Sequence, residues 1–281
     1  SYAGLRKVHV EGNRIMLNNK PVYLRFVLDQ GFYPDGIWTA PSDKALKRDI
    51  ELSLKAGFNG ARLHQKVFEE RFHYWADKLG YLTWGESASW GCDPNLSEAA
   101  NNFLSEWRDI IVRDRNHPSI IAWTPFNETF KITNPAQHRK TGVEAYELCK
   151  ALDPTRPVND ASGYTHYKTD LWTVHTYEQK PPALKKLLKP ADGSVWRNVP
   201  KVEPPYENQP YFVDEYGGIR WVPPGKRPFS DKSWGYGNAP KTISEFYTRL
   251  KGLTNAILAH KHISGYCCTQ LTDVEQEQNG I

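Results

Sequence analysis

Several familiar signatures are missing from this chain, and each absence removes a class of protein. The four cysteines, Cys92, Cys149, Cys267 and Cys268, form no C-x-x-C pair and have no histidine at zinc spacing. Neither a zinc site nor a disulfide framework is expected from them. No apolar run approaches the ~20 residues of a membrane span, and the opening "SYAGLRKVHVEG" lacks a signal peptide's apolar core. Lys and Arg are dispersed without a dense basic block and the formal net charge is only +4, so a nucleic-acid partner is not expected. The nine histidines are scattered, which leaves a metal-dependent barrel hydrolase without its strand-end cluster. There is no low-complexity tract, and no repeat beyond the alternation described below. The expectation is a soluble chain, cytoplasmic in preference, with no metal or other cofactor and no membrane partner.

What is present is enough for a large core. At 281 residues and 39% hydrophobic content, the length suits one α/β barrel as well as two small domains. Aromatics make up 13%, with ten Trp and fifteen Tyr. Their faces can stack on sugar rings, although core and surface packing accounts for most of them.

From residue 40 onward short apolar runs alternate with helical stretches, the pattern of βα units around a parallel sheet. "PVYLRFVL" reads as the first strand. The helix after it has Ser42 as N-cap and stops at Gly57. "FNGARL", "YLTWGE" and "SIIAWTPF" follow as strands two to four, each pair separated by a helical segment. Strands near 157 to 160 and 171 to 175 come next, then a Pro- and Lys-rich loop from about 178 to 210. "PYFVDEYGG" and "ISGYCCTQL" complete a set of eight. The fold expected is an α/β (β/α)8 TIM barrel over residues 23–281, preceded by a hairpin over 1–22 with an Asn18-Asn19 turn. No room is left for an eighth helix, so a truncated barrel with exposed or partner-covered apolar surface is expected, and a homo-oligomer is among the expectations.

Three of these strands end on acids: Glu86, Glu128 and Glu215. Strand ends of such a barrel point into its active-site mouth. Strands four and seven lie on roughly opposite sides, so Glu128 and Glu215 can flank one bond. Glycoside hydrolysis needs two such carboxylates. The bland alternative is that they are core acids paired with Arg62 or Arg25.

Here the residues resemble a known family. "RDRNHPSIIAWTPFNE" is similar to the segment of glycoside hydrolase family 2 enzymes (β-galactosidases, β-glucuronidases, β-mannosidases) that ends in Asn-Glu, and "YFVDEYGG" is similar to their nucleophile strand. "ARLHQKVFEERFHYWADKLGYLTWGE" and "TQLTDVEQEQNG" resemble their strand two to three unit and their strand-eight exit. The resemblance implies that Glu128 is the general acid/base, Glu215 the nucleophile, Asn127 a ligand of the sugar 2-hydroxyl and Arg62 the cation beneath the nucleophile. It also implies a carbohydrate substrate.

The chain departs from the family pattern at the sugar. Asp29-Gln30 stands where many members carry Arg-His, Gln65-Lys66 replaces a His-Tyr, and Thr269 occupies the place of a strand-eight Trp. Asp29, His64, His175 and Tyr177 complete the expected substrate-binding set, with Tyr177 able to donate to the nucleophile. No Lys follows "EQNGI" as it does in the β-glucuronidases, which favours a neutral sugar, galactose first. The reading is a retaining exo-β-glycosidase. A β-glucuronidase or β-mannosidase, or a non-catalytic carbohydrate-binding barrel derived from such an enzyme, stays open.

Overall fold

Side chains and glycines set the element boundaries much as the sequence suggests. In the computed structural model, which describes residues 2–191, 193–223, 225–226 and 228–281, Ser42 caps α1 (Asp43–Lys55) by accepting from the Ala45 amide. Gly80 ends α2 (Glu70–Leu79) in the left-handed conformation. Asn134 caps α4 (Pro135–Leu152), whose first position is the proline, and Thr242 caps α6 (Ile243–Leu258). The longest run of α3 (Ser97–Asp114) turns Phe103, Trp107 and Ile111 inward at helical spacing.

The strands build a parallel barrel. β4 (Leu24–Asp29), β5 (Gly60–Leu63), β6 (Leu82–Glu86), β7 (Ile120–Thr124), β10 (Trp172–His175), β11 (Tyr211–Gly217) and β12 (Ile263–Thr269) pair in the order β10-β11-β12-β4-β5-β6-β7. The fifth-strand position, between β7 and β10, is filled by residues 157–162. The Asn159 amide donates to the Trp123 carbonyl at 2.9 Å, and β8 (Phe126–Asn127) pairs with β9 (Ala161–Ser162). On the other side the Thr173 hydroxyl donates to the Ala161 carbonyl at 3.1 Å.

Two connections depart from the βα rhythm, and the second also differs from the sequence reading. No helix joins β9 to β10 among the described residues. Gly163 and Tyr164 both have positive φ, and the Asp160 carboxylate accepts the Tyr167 and Lys168 amides, so side-chain bonds replace a helical ladder. Conversely, the Pro- and Lys-rich loop holds a short helix, α5 (Pro181–Leu187), started by its prolines.

Below the barrel, β1 (Val8–Glu11), β2 (Arg14–Leu17) and β3 (Lys20–Pro21) form an antiparallel sheet. Its second turn is Asn18-Asn19, both at positive φ, which suits a tight hairpin. Val8 and Ile15 join Leu24, Phe26, Leu28, Trp84 and Phe212 in one buried cluster. Within it Phe26, Trp84 and Phe212 pack as a triangle, with ring centroids 4.8 to 6.2 Å apart. This aromatic layer floors the polar layer above it. On the outside, α1 and α6 stand either side of an open apolar groove of about 530 Å3 that Leu52, Phe58, Phe246 and Leu271 line.

Gly60 fits the floor because it has no side chain: a Cβ there would lie 2.2 Å from the Leu82 carbonyl oxygen and 2.3 Å from the Phe26 ring. Gly60→Ala is expected to destabilise the fold by about 1–3 kcal/mol through overpacking. An unchanged midpoint in urea denaturation would contradict this placement.

Candidate active site

The side chains above the aromatic floor follow from strand parity, with one deviation. Successive residues of a strand face opposite sides, so Gly60, Arg62 and His64 point inward while Ala61 and Leu63 pack against the helices. By the same rule Asp214 and Glu215 should diverge. The β11–β12 register shifts between Val213 and Tyr216, and this bulge lets both acids face the interior, a common device beside active sites.

Arg62 is the hub. It is fully buried and spends its guanidinium on residues of three strands, β6, β8 and β11. Nε donates to Glu86 Oε2 at 2.8 Å, Nη1 to the Asp214 carbonyl at 3.1 Å, and Nη2 to Asn127 Oδ1 and Glu215 Oε1, both at 2.9 Å. The other oxygen of Glu215 accepts from the Tyr177 hydroxyl. Glu86 in turn accepts from the Gln65 amide at 3.1 Å and lies 3.0 Å from His64 Nδ1. Glu86 is therefore tied into the platform beneath the cavity.

His175 stands between the two remaining acids. Its Nδ1 is 2.8 Å from Glu128 Oε1 and 3.4 Å from Glu215 Oε2, and its Nε2 is 3.2 Å from Asp214 Oδ1. Asn198 clamps its backbone through both amide groups, and Gly163 lies so close that a Cβ would meet the imidazole at 2.5 Å. Glu128 has φ of 53°, a left-handed conformation that is uncommon away from glycine, and its amide donates to the Ser162 carbonyl at 3.0 Å. Its side chain is 24% exposed against 7% for Glu215, so Glu128 faces the open mouth. One oxygen of Glu128, one of Glu215 and one nitrogen of His175 lie within 4.8 Å of one another. Such a trio can hold a metal in principle, but Arg62 already neutralises Glu215 and would repel a dication.

Charges explain the protonation states. Burial opposes ionisation of Glu215, yet His175 and Arg62 outweigh it and hold this carboxyl well below the usual range. Burial likewise opposes a charged His175, but Glu215 and Asp214 push it up to about 10.

A cavity of about 270 Å3 opens over this platform, lined by Gln30, His64, Trp90, Glu128, Tyr177, Glu215, Trp234, Tyr236 and the segment 274–277. Tyr236 stacks on Tyr177 with centroids 3.5 Å apart. Asn127 is buried and its Nδ2 has no partner. Asp29, expected at the substrate, is corrected by the structure. It lies on the outward parity of β4 with Val27, accepts from the Gly31 amide at 2.8 Å, and is buried against the helix layer, which raises it to about 7. Gln30 takes the inward place and bonds Gln270 at 2.7 Å. Lys66 is also turned away, donating to the Gly31 carbonyl and pairing with Glu69. Trp90, Trp234, Tyr236 and Glu277 were not legible, because all four sit on loops that carry no periodic signal.

Two outcomes are expected of the buried charges. Arg62→Ala leaves Glu86, Asp214 and Glu215 facing one another without a cation, so it should destabilise the fold by about 3–5 kcal/mol rather than leave it intact; an unaltered Tm would contradict this. For His175, whose folded value exceeds the ordinary 6.5, the stabilisation is complete below pH 6.5 and lost as pH rises through about 10. For Glu215, depressed below 4.5, it is complete above that value and lost on acidification. Tm measured from pH 6.5 to 10 should fall more steeply in the wild type than in His175→Asn, and parallel slopes would contradict the pairing.

The comparisons with known proteins are consistent in kind. A family model described as "Glycosyl hydrolases family 2, TIM barrel domain" matches residues 8–225. A β-galactosidase of Vibrio vulnificus is 29% identical over 222 residues, covering 76% of this chain and 20% of that protein. A β-glucuronidase of Felis catus is 27% identical over 175 residues, covering 60% of the chain and 26% of the relative. Among solved structures, a β-glucuronidase from Ruminococcus gnavus superposes with a TM-score of 0.77 at 20% identity, over 97% of this chain and 47% of that one. A β-galacturonidase from Eisenbergiella tayi gives 0.72 at 20% identity, over 95% and 47%. The chain spans about a fifth of the length of the curated β-galactosidases it matches. With a family match over most of its length and the barrel itself in view, the chain belongs to glycosyl hydrolase family 2, as its TIM barrel domain.

Proposed function

We propose that this chain carries the catalytic centre of a retaining exo-β-glycosidase, with Glu215 as nucleophile and Glu128 as general acid/base. The observation that carries the reading is that one carboxylate oxygen of Glu128 and one of Glu215 lie within 4.8 Å of each other. A double displacement uses acids ~5–5.5 Å apart, whereas inversion needs roughly 6.5–9.5 Å to admit a water. In the first step a Glu215 oxygen attacks the anomeric carbon, the glycosidic C–O bond breaks, and the Glu128 proton passes to the leaving oxygen. In the second, water attacks the glycosyl ester, its proton returns to Glu128, and the Glu215 carboxylate is released.

The surrounding residues take supporting roles. Arg62 and Tyr177 orient Glu215 and keep it ionised. The free Nδ2 of Asn127 is the donor for the sugar 2-hydroxyl, and His64 lines the ring site. His175 is too buried to meet a sugar directly and serves as a positioning residue between the acids.

A neutral sugar suits the cavity best. Glu275 and Glu277 stand in its wall, and no Lys or Arg lines it among the described residues, so a uronate would meet carboxylates without a cation. The β-galactosidase names among the relatives favour galactose.

A panel of p-nitrophenyl β-glycosides tests the reading, assayed on this chain and on a longer chain containing it. Glu215→Ala should abolish turnover of all of them. Glu128→Ala should keep the first step for activated aryl leaving groups, with azide accelerating the second. Full activity in Glu215→Ala, or no azide response in Glu128→Ala, would remove the assignment.

A further inference from the structure

Glu277 stands in the wall of the cavity above Arg62 and takes no part in the chemistry proposed there. Its carboxylate is nonetheless held by a closed ring of side chains. Gln30 Nε2 donates to Gln270 Oε1 at 2.7 Å and to Glu277 Oε2 at 3.3 Å. Gln270 Nε2 donates to Asn279 Oδ1 at 2.8 Å, and Asn279 Nδ2 closes the ring by donating to Glu277 Oε1 at 3.2 Å. From this arrangement we infer that Glu277 is a specificity-determining residue for the terminal sugar, and that its two oxygens accept the 3- and 4-hydroxyls of that sugar. The assignment rests on the glycosidase reading above and adds which hydroxyls are read.

The ring fixes the carboxylate from behind. Gln270 and Asn279 are each 1% exposed, so the groups that aim Glu277 belong to the interior. The backbone is tied as well: Val274 and Glu277 exchange amide bonds at 2.9 and 3.0 Å, and Trp234 bonds Gln276 and Gln278 at 2.7 and 2.8 Å. A polar group aimed by buried partners on a tied backbone is what recognition of a small ligand requires. A carboxylate needed only for solubility would have no use for such support.

The free acceptor sites define the occupant. Each oxygen of an ionised carboxylate can accept two bonds, and Gln30 and Asn279 take one on each. Glu277 lines the cavity and is partly exposed, so the sites that remain are available to a ligand. Burial raises its carboxyl above the ordinary value and the Asn279 and Gln30 donors oppose that rise; further donors from a ligand act in the same direction. Two acceptors side by side take two parallel donors, and on a sugar these are hydroxyls of adjacent carbons. With the anomeric carbon at Glu215 and the 2-hydroxyl at Asn127, the adjacent pair left on a pyranose ring is the 3- and 4-hydroxyls. A sugar substituted at either position has no donor to offer there.

The test takes the sugar whose p-nitrophenyl β-glycoside is cleaved fastest and compares that substrate with its 3-deoxy and 4-deoxy counterparts. In the wild type each deletion should lower kcat/KM about tenfold or more, the loss expected for a hydrogen bond to a charged group. In Glu277→Ala both penalties should shrink about tenfold. Glu277→Gln keeps the volume and one acceptor oxygen and should lose one of the two; it carries the comparison where the alanine variant turns over too slowly to assay. A partly unfolded preparation lowers all three rates alike and leaves these ratios unchanged. Penalties equal to the wild type's in the variants, or a wild type that cleaves both deoxy substrates as well as the parent, overturn the inference while leaving the glycosidase reading standing. A wild-type chain that cleaves none of the three overturns the reading itself, and the inference with it.

Discussion

Everything in the mouth of this barrel depends on one buried guanidinium. Arg62 sits on the Phe26, Trp84 and Phe212 layer, where water is excluded, and an isolated charge there would be prohibitively costly. Its compensation comes from Glu86 on β6 and Asp214 and Glu215 on β11, together with Asn127 on β8. The same bonds that satisfy Arg62 therefore fix the positions of two residues of the proposed chemistry. A hydrogen-bonded network of this kind has little freedom to rearrange without orphaning a charge, which suits a site whose reacting groups must be held within fractions of an ångström.

His175 extends that network from the nucleophile to the acid/base. Glu215 gains a cation on each side, Arg62 below and His175 beside it, while Glu128 keeps only the imidazole and stays partly exposed at the mouth. Two carboxylates in one cavity thus live in different environments, and such a difference is what separates a nucleophile from a proton donor. The left-handed backbone at Glu128 and the bulge at Asp214-Glu215 are the local distortions that bring the two acids together.

How much of this was legible in the sequence depended on whether it followed a period. Strands one to four, seven and eight, the capped helices and the strand-end acids all obey simple alternation or capping rules, and Ser42, Gly80 and Glu128 stand where those rules put them. Asp29 departs from the family's end-of-strand pattern because its parity with Val27 turns it outward, where it is buried and accepts from the Gly31 amide. Conversely, parity alone would have sent Asp214 or Glu215 outward, since a β-bulge leaves no trace in residue spacing. The segment between β9 and β10 was silent for a different reason: the Asp160 side chain, rather than a helix, satisfies its amides. Trp90, Tyr236 and Glu277 meet the cavity through loops whose placement is purely tertiary.

The central claim is that Glu215, held by Arg62, forms a covalent bond to the sugar. Its most direct measurement is trapping with a 2-deoxy-2-fluoro β-glycoside bearing an activated leaving group, followed by proteolysis and mass spectrometry. The adduct is expected on Glu215 alone, within the β11 segment "YFVDEYGG". An adduct on Glu128 or any other carboxylate, or turnover of that reagent without any adduct and with inversion at the anomeric carbon, would contradict it.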